Sequence, residues 1–116
     1  MKIEFYPDGD TGPVREYLDR LRLNPHRRNA CARIVADLAI LESEGLLSRQ
    51  VTIRRVIGIK GSVWELKRRY ENIQYRIYFC IKKNTIWLLH FLEKKTGKIP
   101  KSDLKRISRR AREVMK

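Results

Sequence analysis

IQYRIYFCIKKNTIWLLHFL, residues 73–92, decides the fold. Its first part alternates. Ile73, Tyr75, Ile77, Phe79 and Ile81 fall on one face, and Gln74, Arg76, Tyr78 and Cys80 on the other, the period of a β-strand with one buried side. KKNT (82–85) is a short polar turn, and TIWLLHFL (85–92) reads as the returning strand of a hairpin. This second strand is apolar on both faces. Strict alternation aligns His90 with Ile86 and Leu88, and Phe91 with Trp87 and Leu89.

The wholly apolar face of 73–81 needs a helical cover, and the sequence supplies two helices upstream. Pro13 suits a first helical position, with Val14, Tyr17, Leu18 and Leu21 on one face. Asn24-Pro25 looks like a second cap and start. It is followed by Ala30, Cys31, Ile34, Val35, Leu38 and Leu41 at helical spacing, with Gly45 as the stop. KIEFY (2–6) alternates as a first strand and PDGDTG (7–12) is turn chemistry. After the helices the period returns to two. VTIRRVIGI (51–59) is a weak strand or two, interrupted by Gly58. SVWELKR (62–68) is clearer, with Trp64 and Leu66 facing the core and Val63, Glu65, Lys67 and Arg69 facing away. Ile99-Pro100 breaks the chain. SDLKRISRRAREVMK (102–116) is a final helix, with Ser102 as cap and a narrow stripe of Leu104, Ile107, Ala111 and Val114.

The expected order is β-α-α-β-β-β-α. It describes an α+β fold, an antiparallel sheet layer packed on a helical hairpin, with a C-terminal helix. A chain of 116 residues without repeats or linkers suits one domain, 1–116. On this reading the face of Arg76 and Tyr78 lies away from the helices as an open surface, carrying Lys67 and His90 as well.

Charge is the strongest global signal. The net charge is +14, and all of it lies in the second half: residues 1–50 carry 8 basic and 8 acidic side chains, residues 51–116 carry 19 and 5. Such an imbalance attracts polyanions, nucleic acid before an anionic membrane or an acidic protein. The stretch HFLEKKTGKIP (90–100) concentrates it, placing His90, Lys94, Lys95 and Lys98 at one end of the apolar strand. The opening residues do not read as a signal peptide, and no apolar run is long enough to span a bilayer. Cys31 and Cys80 are isolated, and with only His26 and His90 besides them no metal-ligand spacing occurs. No metal or cofactor is expected.

WELK (64–67), YRIYF (75–79) and HFLEKKTGKIP (90–100) resemble the RelE/ParE superfamily of toxins from bacterial type II toxin–antitoxin systems. The similarity is greatest to the HigB-type branch of phage-derived RelE-like proteins, and it covers nearly the whole chain. The resemblance implies a RelE-like fold and a cytoplasmic toxin that inhibits translation by cleaving messenger RNA on the ribosome, without a metal. It also implies a cognate antitoxin carrying a helix-turn-helix. Arg76 stands where the family places a phosphate-contacting arginine. Lys67 stands where the branch usually has arginine, keeping the charge without the bidentate fork. His90, Lys94 and Lys95 match the stretch after the last strand, although the branch commonly reads His-Gly-Phe where this chain has His90-Phe91-Leu92.

RNA cleavage by the ribose 2′-OH needs a base, cations for the charged phosphorane and an acid for the leaving 5′-oxygen. The candidates are His90 for proton transfer, Arg76 and Lys94 for charge, and Tyr78 for stacking or a proton relay. Lys67, Lys95, Lys98, Arg106, Arg109 and Arg110 are candidate phosphate and ribosomal-RNA contacts. Each has a structural alternative. His90 could be a satisfied histidine, Arg76 a cross-strand partner of Glu65, Tyr78 a packing residue and the last helix an amphipathic element lying on the fold. Two other functions stay open: gyrase inhibition as in the ParE branch, and RNA binding without cleavage.

Overall fold

The computed structural model describes residues 1–94 and 97–116, the side chain of Lys94 excepted. The elements are β1 (Lys2–Phe5), α1 (Pro13–Leu23), α2 (Arg28–Glu44), a single 3-10 turn (Gly45–Leu47), β2 (Thr52–Arg55), β3 (Trp64–Tyr70), β4 (Ile73–Lys82), β5 (Thr85–Lys94) and α3 (Lys101–Met115). The α+β class and the helical hairpin are as expected. The weak 51–59 segment forms its own strand, so four strands follow the hairpin rather than three.

The five strands run in the order β1-β5-β4-β3-β2. β2 to β5 form an antiparallel meander, and β1 joins β5 in parallel, Ile3 beside Ile86 and Phe5 beside Leu88. The sheet is therefore mixed. Both tight turns of the meander use two residues in the left-handed region, Glu71-Asn72 (φ 48° and 67°) and Lys83-Asn84 (φ 49° and 61°). Asparagine tolerates that region, and such turns match the right-handed twist of the strands they join.

One side of the sheet is covered by α1 and α2. Val14, Tyr17, Leu18 and Leu21 from α1, with Ala30, Cys31, Ile34, Leu38 and Leu41 from α2, meet Leu66, Tyr75, Ile77, Phe79, Ile86 and Leu88. Val35 points outward instead, half exposed. α2 starts at Arg28 rather than at Asn24-Pro25. Asn24 instead closes a turn, its Oδ1 accepting from the His26 N–H at 2.9 Å. The hairpin is tied to the sheet by Arg68, whose guanidinium donates twice to the buried Asp37 of α2, at 2.6 and 2.7 Å. The fork geometry of arginine against a carboxylate makes this a directional clamp.

The other side is not open, which corrects the sequence expectation. α3 lies across it, and Ile107 and Ala111 form a second core with Val63, Tyr78, Cys80 and Leu89, flanked by Trp87, Leu92 and Leu104. The layers number three: hairpin, sheet, single helix. α3 begins at Lys101 with Pro100 at the cap, so Ser102 does not cap it. At its far end Lys82 Nζ donates to the carbonyls of Val114 and Lys116, at 2.8 and 2.6 Å. An ammonium there satisfies orphan carbonyls and complements the helix dipole.

The alternation of β5 breaks between the pairs Tyr78–His90 and Phe79–Leu88, leaving Leu89 as an extra residue. This β-bulge reverses the phase of the strand. Before it, Ile86 and Leu88 face the hairpin; after it, Phe91 does, stacking on Tyr17 with ring centroids 3.8 Å apart. His90 consequently leaves the face of Ile86 and Leu88 and joins that of Tyr78. This overturns the alignment that strict alternation gave.

Replacing Asp37 with alanine strands the Arg68 guanidinium, which is about one-third exposed. A loss of roughly 2–3 kcal/mol is expected by urea denaturation, below the cost at a fully buried pair because water reaches the arginine. A loss under about 0.5 kcal/mol, the range of ordinary surface changes, would show that the clamp contributes little.

Candidate functional site

The face beneath and beside α3 gathers the polar residues of the central strands. Register sets Arg54 opposite Glu65, Glu65 opposite Tyr78, Lys67 opposite Arg76 and Tyr78 opposite His90. The Glu65 carboxylate is 1% exposed and Arg76 4%. Arg76 donates from Nη1 to Glu65 Oε2 at 3.3 Å and from Nη2 to Gln74 Oε1 at 2.8 Å. Arg54 donates from Nε to the other carboxylate oxygen of Glu65 at 3.1 Å. A carboxylate this deep needs such partners to offset its lost hydration. The cross-strand pairing of Arg76 with Glu65 was legible in the strand alternation; the third member, Arg54, was not.

Two donors in this cluster, Arg76 Nε and the Tyr78 hydroxyl, are buried without a hydrogen-bond partner. Tyr78 is wholly buried. Burial first, and the neighbouring Glu65 second, push its phenol well above the ordinary range, so it keeps its proton.

His90, 6% exposed, is held at both ring nitrogens. Nδ1 lies 2.9 Å from Arg110 Nη1, and Nε2 lies 2.8 Å from Asp103 Oδ1. A guanidinium only donates. Nδ1 must therefore accept, and Nε2 carries the hydrogen that Asp103 receives. Arg110 Nη1 also donates to the Leu89 carbonyl at 2.8 Å. Burial pushes the imidazole below its ordinary 6.5, and the Arg110 and Arg106 charges add to this, against the opposing pull of Asp103. His90 is thus a neutral histidine that joins the bulged strand to α3.

The structure brings Arg76, Tyr78 and His90 together, with the Tyr78 and His90 rings 6.4 Å apart between centroids, but under cover. Lys67 is partly exposed beside Arg76. Arg106 and Arg109 lie on the outer surface of α3, and Arg110 turns inward. The Lys94 side chain and all of Lys95 lie outside the described residues. Asp103 escaped the sequence reading, and Arg110, a candidate phosphate contact there, instead turns onto His90 and the Leu89 carbonyl; both flank Ile107 at helical spacing on the face that the apolar stripe marked.

Beside the Glu65 cluster opens a cleft of about 440 Å³. Its walls are Val56 and Ile57 from the segment after β2, Ile99 from the approach to α3 and Leu104 from the first turn of α3. Arg54, Arg55 and Lys98 ring it, and Glu65 forms part of its lining. It offers a polyanion a cationic rim and a carboxylate base in one depression. Among the described residues no group of three or more His, Cys, Asp or Glu gathers as a metal would require.

A family model described as "Phage derived protein Gp49-like (DUF891)" matches residues 18–112. No curated protein and no solved structure matches the chain.

The His90 geometry fixes a pH dependence. The folded state holds His90 below 6.5, so just under that value the unfolded chain binds a proton that the folded chain refuses. The stabilisation is present above about pH 6.5 and is lost as the pH falls through the window beneath it. Asp103 and Arg110 from α3 and Tyr78 from β4 face the ring, and the charge of the exposed Arg106 acts on it from further away. Urea denaturation at about pH 7.5 and about pH 5.5 should show a larger loss on acidification for wild type than for His90→Gln. Equal losses would mean that His90 carries no such linkage.

Proposed function

The chain belongs to the Gp49-like family of phage-derived proteins, a RelE/toxin-like family, and from that premise we propose that it is a translation-inhibiting toxin that cleaves messenger RNA engaged by the ribosome. The observation that carries this reading is the Glu65 carboxylate held between Arg54 and Arg76 in the lining of a cation-rimmed cleft. All of the chain's net charge lies in the half that builds this cleft, which supports a polyanionic substrate.

In the proposed reaction the ribose 2′-oxygen bonds to the adjacent phosphorus and the bond to the 5′-oxygen breaks. Products are a 2′,3′-cyclic phosphate and a 5′-hydroxyl. Glu65 takes the 2′-OH proton, and Arg54 and Arg76 stabilise the charge that grows on the phosphorane. Lys98, on the rim of the same cleft, supplies the proton for the leaving oxygen. Lys67 and the exposed Arg106 and Arg109 hold phosphates outside the reacting centre. His90 and Tyr78 seat α3 over the site. The partner implied is a cognate antitoxin that masks the basic face.

The near-complete burial of Glu65 favours a second reading, RNA binding without cleavage, and one experiment decides between them. Primer extension on a defined messenger RNA in a reconstituted translation mixture, with and without ribosomes, should give cuts only with ribosomes. Arg76→Ala and Glu65→Gln should each slow cutting about 100-fold, while a folded His90→Gln stays within about threefold. No cuts with wild type would sink the nuclease reading in favour of binding alone, and a His90→Gln loss as large as that of Arg76→Ala would return His90 to the chemistry.

A further inference from the structure

We infer that the cleft between the β2–β3 loop and the start of α3 is a slot for a single unstacked nucleobase, the base of the nucleotide whose 2′-OH meets Glu65. This deepens the RNA reading above and rests on it. The slot has apolar walls, Val56 and Ile57 on one side and Ile99 and Leu104 on the other. Its volume of about 440 Å³ sits in the lower part of the range of small-ligand sites, about 300–1,000 Å³. Ile57 stands at its lip 90% exposed. Gly58 takes the loop through φ 92°, a conformation that favours glycine, and lies beside the helix, where a Cβ would make ordinary contact with Leu104 Cδ2 at 3.7 Å.

The combination of walls and rim selects the occupant. Phosphate alone needs the cations Arg54 and Arg55 but gains nothing from isoleucine and leucine walls. A purely apolar ligand needs the walls but gains nothing from guanidinium groups. A nucleotide uses both, its base stacking against apolar side chains while its backbone lies along the rim. The Glu65 carboxylate in the lining argues against the other amphipathic polyanion, an acidic peptide, which would bring a second carboxylate to it, whereas a nucleobase enters uncharged and leaves its phosphates on the cationic rim. Bases carry donor edges that a carboxylate accepts. Contact with aliphatic walls tolerates any base and grows with ring area, so purines fit best and the slot biases the position 5′ of the cut towards them.

The test reads binding separately from cleavage. The probe is a short uridine oligonucleotide with one central 2-aminopurine and 2′-fluoro sugars, which cannot supply the attacking hydroxyl. Anisotropy reports binding and 2-aminopurine emission reports the surroundings of the base. Wild type should bind at low salt with a clear change in emission. Ile57→Asp, at an exposed position that leaves the fold intact, and Leu104→Trp, which fills the slot, should abolish the emission change and weaken binding about tenfold. Thermal melts confirm that both variants are folded. Binding with the same emission change in wild type and both variants overturns the slot, as does the absence of binding at low salt. An acidic leucine-rich peptide that binds wild type but not Ile57→Asp, while the oligonucleotide ignores the substitution, also overturns it and assigns the cleft to a protein partner. A working slot in a chain that cuts no messenger RNA would leave this inference standing and remove the nuclease reading alone.

Discussion

A single extra residue in β5, Leu89, governs which side chains meet on either side of the sheet. Because side chains alternate strictly along a strand, one inserted residue exchanges the two faces of everything after it. Phe91 and Glu93 are thereby delivered to the hairpin. Phe91 stacks on Tyr17, and Glu93 accepts from the Tyr17 hydroxyl at 2.7 Å and from Arg27 at 2.8 Å. His90 is delivered to the opposite face, where Arg110 holds both its ring and the Leu89 carbonyl. The bulge therefore locks α1 to one side of β5 and α3 to the other.

The seating of α3 follows from this arrangement and shapes the site. A narrow apolar stripe, with only Ile107 and Ala111 fully inside, is a small hydrophobic attachment for a helix of 15 residues. The Asp103–His90–Arg110 chain and the Lys82 contacts at the other end supply direction that the stripe lacks. Tyr6 adds to this, its hydroxyl paired with Glu113 and its ring 5.5 Å from the Arg110 guanidinium carbon. The helix covers Tyr78 and His90 and leaves the Glu65 carboxylate at the margin of a cleft. Coverage and access are thus set by the same helix.

The charge excess is divided by this architecture into two populations. Arg68, Arg76 and Arg110 are spent inside, against Asp37, Glu65 and His90. Their planar guanidinium forks hold acceptors in a fixed geometry that the point charge of lysine does not impose. Arg54 spans the two groups, one nitrogen on Glu65 and the rest of its side chain towards solvent. Arg55, Arg106 and Arg109 lie at the surface, where long-range attraction of a polyanion needs no fixed geometry.

Much of the fold was legible locally. The alternation of 73–81, the helical spacing of Val14 to Leu21 and of Ala30 to Leu41, and the stripe Ile107–Ala111 each encode which atoms must leave water, and burial of apolar surface obeys them. The Arg76–Glu65 pair followed from the same alternation. The phase of β5 did not, because a strand apolar on both faces carries no mark of where its register shifts. Nor did the closure of the Arg76 face. A narrow helical stripe says that a helix docks, not on which layer. The sequence by itself determined the helices and most strands, the sides of β4, α1 and α2 that face one another, and the excess of positive charge, since these depend on residues near one another along the chain. Only the tertiary structure decided that His90 is neutral, that Glu65 sits between Arg54 and Arg76 and that a cleft opens beside them. Each of these depends on groups from different strands and a distant helix competing for the same few ångströms of space.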